Sequence, residues 1–102
     1  MKKKIAILGS TGSIGKTLLK IIEHDKQNFD VILLSANKDY KTLLKQAKIF
    51  NVKNLIITNK NSFKLLKKKN KKKNIKILNS FTSLRKIFNK KIDYTMSSIV
   101  GI

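Results

Sequence analysis

The 102-residue sequence contains no cysteine, no proline and no tryptophan. Without cysteine there can be no disulfide, no cysteine-based metal site and no thiol nucleophile. Histidine occurs once, as His24. It has no partner at a spacing suited to metal or triad chemistry, and as the last residue of an expected helix it caps that end. The five acidic residues, Glu23, Asp25, Asp30, Asp39 and Asp93, are scattered along the chain, so no paired-carboxylate site for a divalent cation can be assembled from them. Long apolar runs are missing as well. MKKKIAILG opens like a secretory leader, but its apolar stretch stops after four residues at Gly9, and no run reaches transmembrane length. These absences lead us to expect a cytoplasmic protein with no membrane partner, and no catalytic or metal-ligating residue in this chain.

What the sequence has in excess is positive charge, with 24 basic residues and a net charge of +19. All but Arg85 are lysine, whereas arginine is the commoner reader of guanine edges and the better stacking partner for bases. Lysine, asparagine and isoleucine share A/T-rich codons, so segments such as KKKNKKKNIKILN read as nucleotide bias rather than selection for a basic surface. The lysine run within residues 67–73 has no interleaved aromatic for base stacking and reads as a solvated helix end. No specific nucleic-acid partner is expected, although non-specific polyanion binding at low salt is. The length allows one domain with a small core.

The most informative stretch is ILGSTGSIGKT, residues 7–17. Gly15-Lys16-Thr17 matches the end of a P-loop, but the position five before Gly15 is Ser10 and the available glycine, Gly9, comes one residue too early. The same glycines read as Gly9-x-x-Gly12-x-x-Gly15. A strand from Lys3 to Leu8 enters this turn, and a helical pattern of Ile14, Leu18, Ile21 and Ile22 leaves it. Strand, glycine turn and helix form the context of a dinucleotide-binding turn. In that context the helix N-terminus offers free N–H groups and partial positive charge to a phosphate.

Further along, Val31-Ile32-Leu33-Leu34 suits a strand buried on both faces, followed by a polar turn, Ser35-Ala36-Asn37-Lys38. Asp39 caps a second helix with Leu43, Leu44, Ala47 and Phe50 inward. Leu55 to Ile57 is a third strand, and a third helix starts at Asn61 or Ser62 with Phe63 and Leu66 inward. Ile75 to Leu78 is a fourth strand, Ser80 to Phe88 a fourth helix, and Asp93 to Val100 a fifth strand. Five strands alternating with four helices predict an α/β fold, a Rossmann-like doubly wound parallel sheet that is incomplete, with its ligand at the C-terminal ends of the strands.

An NAD-preferring unit of this kind carries a carboxylate at the end of the second strand for the ribose 2′-hydroxyl. Here that position reads Ser35-Ala36-Asn37-Lys38. Lys38 suits a 2′-phosphate and Asn37 can donate to it, so the cofactor expected is NADP(H).

Taken together, ILGSTGSIG after the first strand, LLSANKDY after the second and SSIVG after the fifth resemble the N-terminal part of the 1-deoxy-D-xylulose 5-phosphate reductoisomerase family. The resemblance runs through the whole chain. It implies conversion of 1-deoxy-D-xylulose 5-phosphate to 2-C-methyl-D-erythritol 4-phosphate in isoprenoid precursor synthesis, with NADPH and a divalent metal, magnesium or manganese. It further implies that residues 1–102 are the NADP(H)-binding part, inactive alone. The catalytic domain, with the metal ligands and the sugar-phosphate site, would lie outside this chain, and the whole enzyme would be a homodimer.

Carried over by position, the cofactor contacts fall on Thr11, Gly12, Ser13 and Ile14 at the first turn and on Asn37, Lys38 and Asp39 at the second. Thr11 and Ser13 would bond phosphate, Gly12 would admit the close approach, and Ile14 would pack on the cofactor. Two positions depart from the family pattern, because Asn37 replaces a frequent glycine and Asp39 a common asparagine. An acidic Asp39 suits this site only if it turns away to cap the second helix. Other readings of the same residues are a stand-alone NADP(H)-binding module, another Gly-x-x-Gly-x-x-Gly oxidoreductase, and, on charge alone, a basic nucleic-acid-binding domain.

Overall fold

A computed structural model of the chain describes residues 3–70, 75–80 and 94–97. The strands are β1 (Lys3–Leu8), β2 (Phe29–Ala36), β3 (Asn54–Ile57), β4 (Lys76–Leu78) and β5 (Tyr94–Ser97); the helices are α1 (Ser13–Glu23), α2 (Tyr40–Phe50) and α3 (Lys60–Lys69). All strand pairs are parallel, and the five-stranded sheet has the order β4-β3-β2-β1-β5. From β1 the chain builds outward through β2 and β3 to β4, then returns to the other side of β1. The reversal makes β1 the switch point of an α/β Rossmann-like sheet, where ligands bind beyond the carboxyl ends of the strands.

The core explains why these segments take these forms. Ile5, Ile7, Leu34, Leu43, Leu55, Ile57 and Leu66 are fully buried in the main cluster, which joins the sheet to all three described helices. Ala6, Leu33 and Ile56 form a smaller cluster, with Leu8, Ile32 and Leu78 partly buried against it. Burial of alternate residues in both directions accounts for the unbroken apolar runs of β1 and β2. Between these strands the register slips: Ile5 pairs with Val31 but Ala6 with Leu33, leaving Ile32 as the extra residue. That bulge shifts the alternation, so that Leu34 and Ala36 join Val31 in the main cluster.

Several boundaries differ from the sequence reading. β2 runs on through Ser35 and Ala36, which were expected in the turn, because both are buried and paired with β3. α3 starts at Lys60, capped by Asn59, whose Oδ1 accepts from the Ser62 N–H at 3.0 Å; the cap lies before Asn61 rather than at it or at Ser62. On α1 the buried line is Gly15, Leu19 and Ile22, whereas Ile14 and Ile21 are 45% and 60% exposed. Gly15 sets this rotation, since only that line can press against the glycine turn. The helix expected over Ser80 to Phe88 lies outside the described residues apart from Ser80, as do the ends of the fifth strand as expected, Asp93 and Ser98 to Val100.

Candidate functional site

Because every pair is parallel, the residues that follow β1, β2, β3 and β4 emerge at one edge of the sheet. Gly9 follows β1 with φ 73°, a left-handed conformation that glycine adopts without the Cβ penalty. It bends the chain into Ser10, and the Gly12 N–H closes the turn on the Gly9 carbonyl at 3.1 Å. α1 begins at once. A Cβ on Gly15 would stand 2.5 Å from the Gly9 oxygen and 2.6 Å from the Ser10 Cα, whereas one on Gly12 would meet only the Gly9 oxygen at 3.5 Å. Gly15 is therefore needed for the helix to pack on the turn. The folded chain itself makes no such demand on Gly12, whose bare edge faces solvent.

A buried polar junction fixes this turn. Ser10, fully buried, donates its N–H to the Ser35 carbonyl at 2.9 Å and its hydroxyl to Gln46 Oε1 at 2.7 Å. Gln46 Nε2 donates back to the Ser10 carbonyl at 2.8 Å, and the Gly9 N–H donates to Ser35 Oγ at 2.9 Å. Among the described residues no buried side-chain polar atom lacks a partner. The glycine turn is thus bonded to the end of β2 and to α2, not merely packed on them. Neither Gln46 nor the strand role of Ser35 was anticipated from sequence. The available signal was the 3.6-residue period, which places Gln46 on the inward stripe with Leu43 and Ala47.

The seven expected site residues all emerge at this edge. Thr11, Gly12, Ser13 and Ile14 form the turn and the first residues of α1, and Gly12, Ser13 and Ile14 are exposed. α1 has no side-chain cap and no acidic residue in its first turn, while α2 and α3 are capped by Asp39 and Asn59. The first N–H groups of α1 are therefore open to an external acceptor. Ile14 lines a shallow groove of about 220 Å³ with Ser13, Thr17 and Leu18.

Asn37, Lys38 and Asp39 follow β2 and are exposed. The Asp39 carboxylate accepts from the Thr42 N–H at 3.1 Å, so it is turned into the cap of α2. Hydrogen bonding from the Thr42 side chain above all, then from the Thr42 N–H, with the charges of Lys16 and Lys45, holds the Asp39 pKa below the ordinary aspartate value against the opposing effect of burial. Lys16, used from sequence only to exclude a P-loop, thus links the α1 turn electrostatically to the second loop. Asn37 accepts from the Thr58 hydroxyl through Oδ1 at 2.8 Å.

An NADP(H) phosphate fits this donor set: an uncapped helix start, a glycine without steric need in the fold, and Lys38 on the adjacent loop. A divalent metal does not, for no group of three or more His, Asp or Glu side chains lies together among the described residues. No described helix is long and apolar enough to cross a membrane.

Comparison with known proteins points to one family. The family model for 1-deoxy-D-xylulose 5-phosphate reductoisomerase matches residues 5–102. A relative of that name from Pelagibacter ubique is 57% identical over 101 residues, covering 97% of this chain and 26% of the relative. A solved reductoisomerase from Zymomonas mobilis, in complex with NADPH, superposes with a TM-score of 0.85 at 29% identity, covering 97% of this chain and 26% of that one. Another, in complex with NADPH, fosmidomycin and magnesium, gives 0.83 at 25% identity over 95% of this chain and 24% of that one. The chain therefore spans about a quarter of the length of the proteins it matches.

Proposed function

Since the chain belongs to the 1-deoxy-D-xylulose 5-phosphate reductoisomerase family, we propose that it is the NADP(H)-binding part, residues 1–102, of an enzyme making 2-C-methyl-D-erythritol 4-phosphate from 1-deoxy-D-xylulose 5-phosphate. The observation that carries this reading is the shared edge, where an uncapped α1 start and the Asn37–Asp39 loop are joined through Ser10 and Ser35.

In this assignment the open N–H groups of α1 and the hydroxyls of Thr11 and Ser13 hold the pyrophosphate, and Gly12 permits its close approach. Ile14 packs on the cofactor. Lys38 and Asn37 take the 2′-phosphate, and Asp39 stays in its cap, away from that phosphate. Bound NADPH supplies the hydride that reduces the aldehyde formed by rearrangement of the sugar-phosphate skeleton. The protein's contribution in this segment is to bind and orient the cofactor. The sugar phosphate and the divalent metal are assigned to the remainder of a cytoplasmic, homodimeric enzyme.

The test is titration of the chain with NADPH and NADH by calorimetry at fixed ionic strength, in the wild type and in Lys38→Ala. Preference for NADPH, reduced about tenfold in the variant by loss of a charge-assisted contact, supports the assignment. Equal affinity for the two cofactors, or no binding, rejects it.

A further inference from the structure

Asn37 is the first residue beyond β2 and Thr58 the first beyond β3, and the two strands pair in parallel up to Ala36 and Ile57. The side chains therefore meet at the edge where the cofactor is assigned. Three hydrogen bonds fix the pair. The Thr58 N–H donates to the Ala36 carbonyl at 3.1 Å, the Asn59 N–H donates to the Asn37 carbonyl at 2.9 Å, and the Thr58 hydroxyl donates to Asn37 Oδ1 at 2.8 Å. The Thr58 carbonyl accepts in turn from Asn79 Nδ2 at 3.3 Å.

An unrestrained primary amide can offer a ligand either its oxygen or its nitrogen. With Oδ1 accepting from Thr58, both hydrogens of Asn37 Nδ2 remain for a ligand. A group with two donor hydrogens, beside Lys38, complements a phosphate ester, whose oxygens accept. Its bond to an anionic oxygen is charge-assisted and about twice as strong as one to a neutral ribose hydroxyl. We propose that Thr58 is a positioning residue that favours the 2′-phosphate by holding the Asn37 amide through Oδ1, leaving Nδ2 to donate to the ligand. The proposal rests on the NADP(H) assignment above and adds to it a residue that does not touch the cofactor.

The experiment measures the affinities of NADPH and NADH for the whole chain as wild type, Thr58→Val, Thr58→Ser, Asn37→Ala and the Thr58→Val/Asn37→Ala double variant, with thermal melts as the fold control. Thr58→Val removes the hydroxyl at nearly constant volume. It should cut the preference for NADPH by about three- to tenfold, the worth of one hydrogen bond, with the NADH affinity little changed. Thr58→Ser should keep the wild-type preference, and Thr58→Val should have no further effect once Asn37 is alanine. If Thr58→Val does not fold, Thr58→Ala is read in the same way. An unchanged preference in a folded Thr58→Val, equal weakening of both cofactors, or an effect that persists in the Asn37→Ala background overturns the proposal while leaving the NADP(H) assignment intact. A wild type without preference for NADPH overturns both.

Discussion

The side-chain amide of Gln46 in α2 makes two hydrogen bonds to Ser10 in the glycine turn, accepting from its hydroxyl at 2.7 Å and donating to its carbonyl at 2.8 Å. One buried side chain thus ties the second helix to the turn that carries the candidate site, across 36 positions of sequence. Replacing Gln46 by leucine keeps the volume but strands the Ser10 carbonyl in a dry interior and leaves the Ser10 hydroxyl only its 3.4 Å bond to the Ser35 carbonyl. An unmet group costs about 1–3 kcal/mol, so Gln46→Leu should lower the melting temperature by ~4 °C or more at about 4–8 °C per kcal/mol. A calorimetric scan checks this, and a melting point within a degree of wild type would show that the junction contributes little.

The glycines of the turn give opposite expectations from a one-methyl change. Gly15→Ala places a Cβ 2.5 Å from the Gly9 oxygen and 2.6 Å from the Ser10 Cα. Both neighbours are backbone atoms held by the Ser35 bonds, so the helix must shift and the fold should be lost or severely weakened. Gly12→Ala meets only an ordinary 3.5 Å contact at φ −75°, a conformation alanine adopts freely. The entropy gained by removing a glycine, about 0.4–1 kcal/mol, roughly offsets the poorer N-cap. Gly12→Ala should therefore melt near wild type and yet lose NADPH affinity, because in the proposed assignment its methyl would stand in the path of the pyrophosphate. Circular dichroism melts beside NADPH titrations separate the two effects. Retained affinity in Gly12→Ala would remove Gly12 from the site.

How far these features could be read from sequence depended on whether their partners are local. Asp39 as the cap of α2 was legible, since an aspartate directly before a helical apolar stripe has its N–H partner three residues on, at Thr42. The glycine turn was legible for the same reason: strand, turn and helix follow one another without a gap. Ser35 misled because a serine after an apolar run reads as the start of a turn. In the fold its hydroxyl is satisfied by the Gly9 N–H, 26 residues away, which lets it stay in the strand. Thr58 had no local signal, since its hydroxyl acts on a residue 21 positions earlier that only the β2–β3 pairing brings near. The pattern of Ile14, Leu18, Ile21 and Ile22 marked α1 as a helix without fixing its inward face, on which Ile22 lies with Gly15 and Leu19. The contact of Gly15 with the turn, invisible to hydrophobicity, sets that face.

Asp39 links stability to pH in a direction that follows from its cap. Its pKa is lowered in the fold, first by hydrogen bonding from the Thr42 side chain, then by the Thr42 N–H and the charges of Lys16 and Lys45. A lowered carboxylate stabilises the fold above its unfolded value of about 3.9, and that contribution is lost as pH falls through the folded value. Asp39→Asn keeps an oxygen to accept from Thr42 but no longer titrates. Its stability at pH 7 should lie within about 0.5 kcal/mol of wild type, while Asp39→Ala, without a cap, loses about 1 kcal/mol. In acid the ordering changes: wild type should lose stability more steeply than Asp39→Asn below about pH 4. Urea denaturation from neutral pH into this range tests the point, and an identical acid limb in Asp39→Asn would place the carboxylate outside the cap. The same variant bears on the cofactor. A carboxylate already engaged with Thr42 and flanked by two lysines repels a 2′-phosphate weakly, so Asp39→Asn should change NADPH affinity by less than about threefold. A larger gain would mean that the carboxylate leaves its cap and faces the phosphate.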